Sequence, residues 1–308
     1  MSHDIPIRQL LSVAPASTVD LRLIDPRSTP GLPDDRGVRR DPKSWARADL
    51  AVVGQELARW QERLYAQAKT GRSSARVLLI LQAMDCGGKD GTVRKVAGLM
   101  NPAGLRIVGF GKPTAEELAH DFLWRIAKEL PAPGMIGVFN RSQYEDVLVA
   151  RVHRLVPART WRARYAKINQ FEHRLASEGV AIVKVMLHIS AEEQKQRLLQ
   201  RLADPTKYWK FNTADIDERA RWDEYQQAYQ DVLSRCSTSY APWYVVPADR
   251  KWYRDWAVAR LLLATLVELN PSYPEPLFNV SEQRSRLTTM GVPPRPEGAR
   301  KVEHAMIG

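Results

Sequence analysis

Between Trp45 and residue 70, apolar side chains recur every three to four positions, at Leu50, Val53, Leu57, Trp60 and Leu64. That is the period of one helix face, so the segment reads as an amphipathic helix that must pack on something, with Ser44 as its N-cap. Beyond it the pattern changes to short uninterrupted apolar runs at residues 77–81, 107–110, 135–139, 180–189 and 243–247, separated by helical stretches. Runs without polar alternation suit strands covered on both faces, and strands alternating with helices suit a parallel sheet, so the expected fold class is α/β. Val93, Val96, Ala97 and Met100 mark the buried face of one connecting helix. Trp222, Tyr225, Tyr229, Val232 and Cys236 form a stripe along another, from about residue 215 to 236, and such a stripe is core packing before it is a cofactor box. Residues 1–45 are rich in Pro, Arg and Asp, show neither period and read as an arm; 46–268 read as the folded domain and 269–308 as a tail.

The first apolar run leads into "AMDCGGKDGT", residues 83–92. The spacing is close to the phosphate-binding loop G-x-x-x-x-G-K-[ST], in which backbone N–H groups cradle phosphates and the final hydroxyl holds Mg²⁺. Ala83 stands at the first glycine and Asp90 at the hydroxyl. Gly87, Gly88 and Gly91 still permit close backbone approach, Lys89 adds a charge, and the strand–turn–helix context is the one a phosphate site needs; the alternative is a tight turn with a solvated lysine. A carboxylate about 4 Å from a phosphate costs about 4 kcal/mol at an effective dielectric of about 20, so Asp85 calls for a cation between the two. Mg²⁺ or Mn²⁺ fits, held by Asp85 with Thr92 or Asp90 as helpers, because such ions take one or two carboxylates plus phosphate oxygens. The run at 135–139 leads to Asn140 where a second metal-binding acid would stand, and then to Arg141, placed to stabilise charge on a transferring phosphoryl group. Ser142 and Glu145 have capping-box spacing, so Glu145 is either a helix cap or a weaker metal candidate.

A second basic set follows. Arg197 and Arg201 lie four apart on one helix face, with Lys207, Tyr208, Trp209 and Lys210 in a loop opened by Pro205. The set suits a lid, around residues 191–222, closing over phosphates; a solvated helix with a packed Trp is the alternative. Lys95, Lys112, His120 and Arg125 extend the cationic candidates. Across 308 residues Lys and Arg number 46 against 35 acids, a net charge of +11, which points to a polyanionic partner if the excess lines one face. Nucleic acid, an anionic membrane and inorganic polyphosphate all qualify on charge. Cys86 and Cys236 are too few for a disulfide framework, and no apolar run has the length of a signal or a membrane span. The expected compartment is the cytoplasm.

Five stretches together carry a resemblance: "LQAMDCGGKDGTVRKV", "GFGKPTAEELAHDFLWR", "FNRSQYEDVLVARVH", "DPTKYWKF" and "STSYAPWYVVPADRKWYR". In this order, across residues 46–268, the chain resembles the polyphosphate kinase 2 family, and within it the class III branch. The resemblance implies a three-layer P-loop nucleotide-kinase-like α/β fold with a helical lid, assembled as a homodimer or homotetramer. It implies Mg²⁺-dependent, reversible transfer of a phosphoryl group from inorganic polyphosphate to AMP and ADP, with neither nucleic acid nor membrane as partner. By position, Asp85 is the loop aspartate for metal and phosphate, Lys89 the loop lysine, Arg141 the arginine after the second strand, and Arg197, Arg201, Lys207 and Lys210 the lid cations. A polyphosphate chain would run past Lys89, Lys95, Lys112 and Arg125. Asn140 departs from the Asp of other branches. The main rival is an ATP-dependent small-molecule or nucleoside monophosphate kinase on the same fold.

Overall fold

The computed structural model describes residues 6–291; the first five residues of the expected arm and residues 292–308 of the expected tail lie outside them. The chain divides into a unit running to Tyr273 and a second unit from Pro274. In the first, β1 (Arg76–Ala83), β2 (Leu105–Gly109), β3 (Ile136–Asn140), β4 (Val180–His188) and β5 (Trp243–Pro247) form one parallel sheet in the order β2-β3-β1-β4-β5. In register, Val77 faces Ile136 on one side and Ala181 on the other. β1 is thus flanked by strands that follow it in opposite directions of the sheet, and the carboxyl end of such a strand is where open α/β sheets bind ligands.

The helices are α1 (Ile7–Leu11), α2 (Arg36–Arg40), α3 (Pro42–Lys69), α4 (Lys89–Val96), α5 (Ala115–Leu118), α6 (Trp124–Lys128), α7 (Glu145–Val152), α8 (Ala158–Ser177), α9 (Ala191–Leu202), α10 (Ala214–Ala220), α11 (Trp222–Cys236) and α12 (Lys251–Leu269). The second unit carries α13 (Val280–Thr289), capped by Asn279, whose side chain accepts from the Glu282 N–H. Both faces of the sheet are covered. Val77, Leu79 and Leu81 of β1 join a core with Val53, Leu57 and Leu64 of α3 and Leu261 and Leu262 of α12; Leu78 and Ile80 join one with Ile126, Phe171 and Leu175. β2, an edge strand, is the exception, with Ile107 about half exposed. Among the described residues no helix is long and apolar enough to cross a membrane.

Three expectations are corrected. α3 starts at Pro42, and its N-cap is Asp41, whose carboxylate accepts the Ser44 N–H at 3.0 Å; a proline at the first helical position lets the helix begin before Ser44. The stripe from 215 to 236 is split into α10 and α11 at Arg221, although Tyr225, Tyr229, Val232 and Cys236 are buried as expected. The aperiodic residues 6–40 include α1, α2 and four buried apolar side chains, Leu11, Val13, Leu21 and Val38. Within them Ser12 bridges Tyr244 at the outer edge of the sheet and the Val13 N–H donates to the Trp243 carbonyl at 2.8 Å, while the Val19 and Leu21 N–H groups donate to Ser234 and Gln230 of α11. Single buried side chains separated by turns leave no period to read.

Candidate active site

The loop leaving β1 turns into α4 through two residues in the left-handed region, Cys86 (φ +61°) and Gly88 (φ +105°). Glycine is required at 88 for space as well: a Cβ there would overlap the Arg254 guanidinium, and one at Gly87 would overlap the Ala83 side chain. With Gly88 as N-cap, Lys89, Asp90 and Gly91 of the first turn of α4 line the cleft, and the N–H groups of a first helical turn have no intrahelical partner, which is what phosphate binding at a helix start uses. The half-buried Lys89 ammonium donates to the Ala83 carbonyl at 2.8 Å, so the residue at the missing first glycine supplies an anchor for the lysine. Burial, with Arg141 nearby, holds the Lys89 pKa below its ordinary value.

Arg141 follows β3 in the left-handed region (φ +68°), with its N–H on the Leu81 carbonyl. Its guanidinium reaches Asp85 Oδ1 at 3.2 Å and Glu145 Oε2 at 3.5 Å. Burial opposes the charge of Arg141, but the two carboxylates outweigh it and its pKa is raised. Glu145 is not half of a capping box: its N–H goes to the Ser142 carbonyl, and α7 has no side-chain cap. With the Gln82 amide oriented to satisfy both neighbours, Gln82 donates to Glu145 Oε1 at 3.0 Å and accepts from Ser142. Burial pushes the Glu145 pKa up, against Arg141 and Lys89, which pull it down. Asn140 Nδ2 donates to Asp90 at 2.7 Å, tying the end of β3 to the start of α4.

Two cavities meet at the Asp85–Arg141 pair. The larger, ≈ 700 Å³, is lined by eleven Lys and Arg side chains against four acids. The smaller, ≈ 220 Å³, has Arg141 as its one cation and is lined by Asp85, Glu145, Asp215, Glu218, Tyr225 and Tyr229 beside Met84, Leu148 and Val149.

The sequence profile of the family described as Polyphosphate kinase 2 (PPK2) matches residues 42–273. The chain belongs to the polyphosphate kinase 2 family. It is similar to the AMP/ADP-polyphosphate phosphotransferase of Meiothermus ruber, 49% identical over 244 residues that cover 79% of this chain and 90% of the relative. It is similar also to an ADP-polyphosphate phosphotransferase of Rhodopseudomonas palustris, 44% identical over 238 residues covering 73% and 81%. Among solved structures it superimposes on Polyphosphate Kinase 2 from Arthrobacter aurescens TC1 with a TM-score of 0.87 and 46% identity, covering 94% of this chain and 98% of that one.

The family's chemistry is phosphoryl transfer, and the residues read from the sequence divide by place. Asp85, Gly87, Gly88, Lys89, Asp90, Gly91, Lys95, Arg141, Arg197, Arg201, Lys207 and Lys210 all line the larger cavity. Arg197 is nonetheless a buried strut: it bonds Glu193, the Cys86 carbonyl at 2.9 Å and the Ala248 and Asp249 carbonyls, holding the loop from behind. Arg201 is engaged by the Lys210 carbonyl and Asp215, tying residues 205–210 to α9 and α10, while Trp209 stands 79% exposed. Thr92, Lys112, His120, Arg125 and Glu145 lie off the larger cavity. Thr92 is fully buried with its hydroxyl 3.5 Å from Asp255, because its place in α4 turns it toward α12. Arg125 is buried on the Gly111 carbonyl with Glu117 and Asp146 nearby, a structural corner. Lys112 is exposed and lines neither cavity; Glu145 lines the smaller.

The sequence reading missed Arg47, Arg94, Lys251 and Arg254, which line the larger cavity. Arg254 is the most constrained: Nε and Nη2 both donate to Asp255 Oδ1, at 2.9 and 2.6 Å, and the guanidinium lies across Gly88 and Gly91. Burial lowers its pKa, with Asp255 acting in the opposite direction. The stretch "ADRKWYR" held the signal, three cations directly after an apolar run. Among the described residues no group of three or more His, Cys, Asp or Glu side chains is placed to hold a metal alone. The donor set instead fits a divalent ion completed by substrate: Asp85 would offer one carboxylate beside the loop, and phosphate oxygens would supply further ligands.

Proposed function

We propose that the protein transfers the terminal phosphoryl group of inorganic polyphosphate to AMP and ADP, giving ADP and ATP, reversibly and with Mg²⁺ or Mn²⁺. The observation that carries this is the pair of unlike cavities joined at Asp85 and Arg141. A polyanion longer than a nucleotide suits the larger, cation-lined cavity. The smaller one, lined by tyrosines, carboxylates and apolar side chains with one arginine at its mouth, suits a nucleoside whose phosphate points to Arg141. The names of the Meiothermus and Rhodopseudomonas relatives support the same substrates.

In this reading an ionised oxygen of the acceptor phosphate bonds to the terminal phosphorus. The bond from that phosphorus to the bridging oxygen breaks, and the shortened polyphosphate keeps the electron pair as an ionised terminal oxygen. No general base is needed, since the attacking oxygen carries no proton to remove. The loop N–H groups and Lys89 fix the donor, and Arg141 stabilises charge on the group in flight, which is the positioning and electrostatic work such transfer requires. Asp85 would hold the divalent ion, whose chemistry is to neutralise phosphate oxygens beside a carboxylate. The lid tip at residues 205–210 would exclude water. The two free cysteines and the soluble substrates favour the cytoplasm, and the family resemblance favours a homodimer or homotetramer.

The test is ATP formation by purified protein with Mg²⁺, polyphosphate and either AMP or ADP. ATP is expected only when polyphosphate is present. Phosphorylation of AMP at full rate with ATP as sole donor would favour the small-molecule kinase instead.

A further inference from the structure

Behind the turn that carries Arg141 and Glu145 lies a buried polar set that lines neither cavity. Lys184 on β4 and Glu172 on α8 are both fully buried. All three N–H groups of the Lys184 ammonium are used, by Glu172 Oε2 and the Cys236 carbonyl, each at 2.6 Å, and by the Tyr144 hydroxyl at 3.0 Å. Tyr144 in turn donates to Glu172 Oε1 at 2.7 Å, and Gln143 Nε2 donates to the same oxygen at 2.9 Å. The rings of Tyr144 and Trp243 stand 5.5 and 5.4 Å from the ammonium, a further stabilisation of its charge.

Stability is a poor explanation for this arrangement. Desolvating two charges offsets most of their attraction, and apolar side chains of similar volume generally serve a core as well or better. What the set does contact is the turn after β3. Ser142, Gln143 and Tyr144 are at most 1% exposed, and Arg141, just before them, holds φ at +68°. A non-glycine residue stays in that region where its surroundings over-determine it. One side is fixed by the Arg141 N–H on Leu81; the other is fixed by Gln143 and Tyr144, through Glu172 and Lys184.

We propose that the buried Lys184–Glu172 pair is a positioning device for phosphoryl transfer: through Tyr144 and Gln143 it holds the Arg141 turn so that the guanidinium stays between Asp85 and Glu145. The inference rests on the reading that Arg141 acts in the transfer. Lys184, Glu172 and Tyr144 are positioning residues, since they act through Arg141 and are closed off from both cavities. A group displaced by about 1 Å loses on the order of a hundredfold in rate, so a rigid support behind a strained turn has a direct catalytic consequence.

The experiment is the paired substitution Lys184→Met/Glu172→Leu, with thermal unfolding and steady-state kinetics. The melting temperature is expected at or above that of the unsubstituted protein. kcat is expected to fall about tenfold or more, with KM for ADP and for polyphosphate changed less than about twofold. In an Arg141→Ala background the same pair is expected to cost less than about a further twofold, because its effect passes through that side chain. Tyr144→Phe combined with Gln143→Leu cuts both links while sparing the ion pair; this second variant is expected to show the same split and serves if the Lys184/Glu172 variant does not fold. Unchanged kcat in either folded variant overturns the proposal, as do additive losses with Arg141→Ala. If Arg141→Ala itself keeps full kcat, the reading of the site has failed and the positioning role falls with it. If Arg141→Ala is impaired while the other variants are not, the positioning role alone has failed.

Discussion

Asp85 is half-exposed beside the loop, and its one side-chain partner among the described residues is Arg141. A carboxylate at a phosphate site repels its substrate unless a cation intervenes. Asp85→Asn keeps the shape and removes the charge, so kcat/KM is expected to fall about a hundredfold or more, with saturating Mg²⁺ failing to restore it; full activity at limiting Mg²⁺ would contradict the assignment. Glu145 gives a second test. Its folded pKa lies above the ordinary 4.5, through burial, so the folded state binds its proton more tightly than the unfolded chain does. Its contribution to stability is therefore most favourable at low pH and is lost as pH rises from the ordinary glutamate range through the raised folded value. Glu145→Gln is expected to flatten that fall and to raise the melting temperature at neutral pH, as a pH series of thermal melts would show. At this scale the shared cleft of Asp85, Lys89 and Arg141 was legible in the sequence because each sits next to a strand end with loop chemistry. Arg254 and Arg47 were not, because a cation on a helix looks the same whether it faces solvent or a cleft.

The glycine-bearing loop between β1 and α4 is an element whose parts are set by near neighbours and by one distant one. Strand, glycines and helix are contiguous, which is why Gly87, Gly88 and Lys89 are readable from residues 77–100 alone. The occupant of the space above Gly88 is Arg254, supplied by the first turn of α12. Gly88→Ala combines a left-handed backbone with a steric overlap, and is expected to cost about 1–3 kcal/mol of stability in urea unfolding and to raise KM for polyphosphate as the guanidinium moves. Unchanged stability would mean that the loop relaxes freely. The lid shows a similar division. Its cations and aromatics announce themselves in "DPTKYWKF", but its attachment does not: α9 grips the loop through Gln194 on the Asp85 carbonyl at 3.0 Å and Arg197 on that of Cys86. Glu145 illustrates the converse, a spacing that allowed a cap and a fold that makes the residue a half-buried acid lining the smaller cavity.

Over the whole molecule part of the net charge of +11 acquires a location, since eleven Lys and Arg side chains against four acids line one cavity. Binding of a polyanion there releases condensed counterions, and by analogy with nucleic acids KM for long-chain polyphosphate is expected to rise by orders of magnitude between about 50 and 200 mM salt. KM for ADP, which contacts fewer cations, should rise much less; equal salt dependence for both would remove the polyphosphate assignment of the larger cavity. The sequence by itself determined the α/β class, the five strands and the strand, glycine turn and helix of residues 76–96. Burial on both faces writes itself as contiguous apolar runs, and a tight turn writes itself as glycine. Only the tertiary structure decided which cations share a cleft, that Ser12 and Val13 meet the edge of β5, that Thr92 and Arg125 turn inward, and that Lys184 meets Glu172 behind Arg141. Those contacts join side chains from separate elements, and local spacing carries no record of which elements the folded chain brings together.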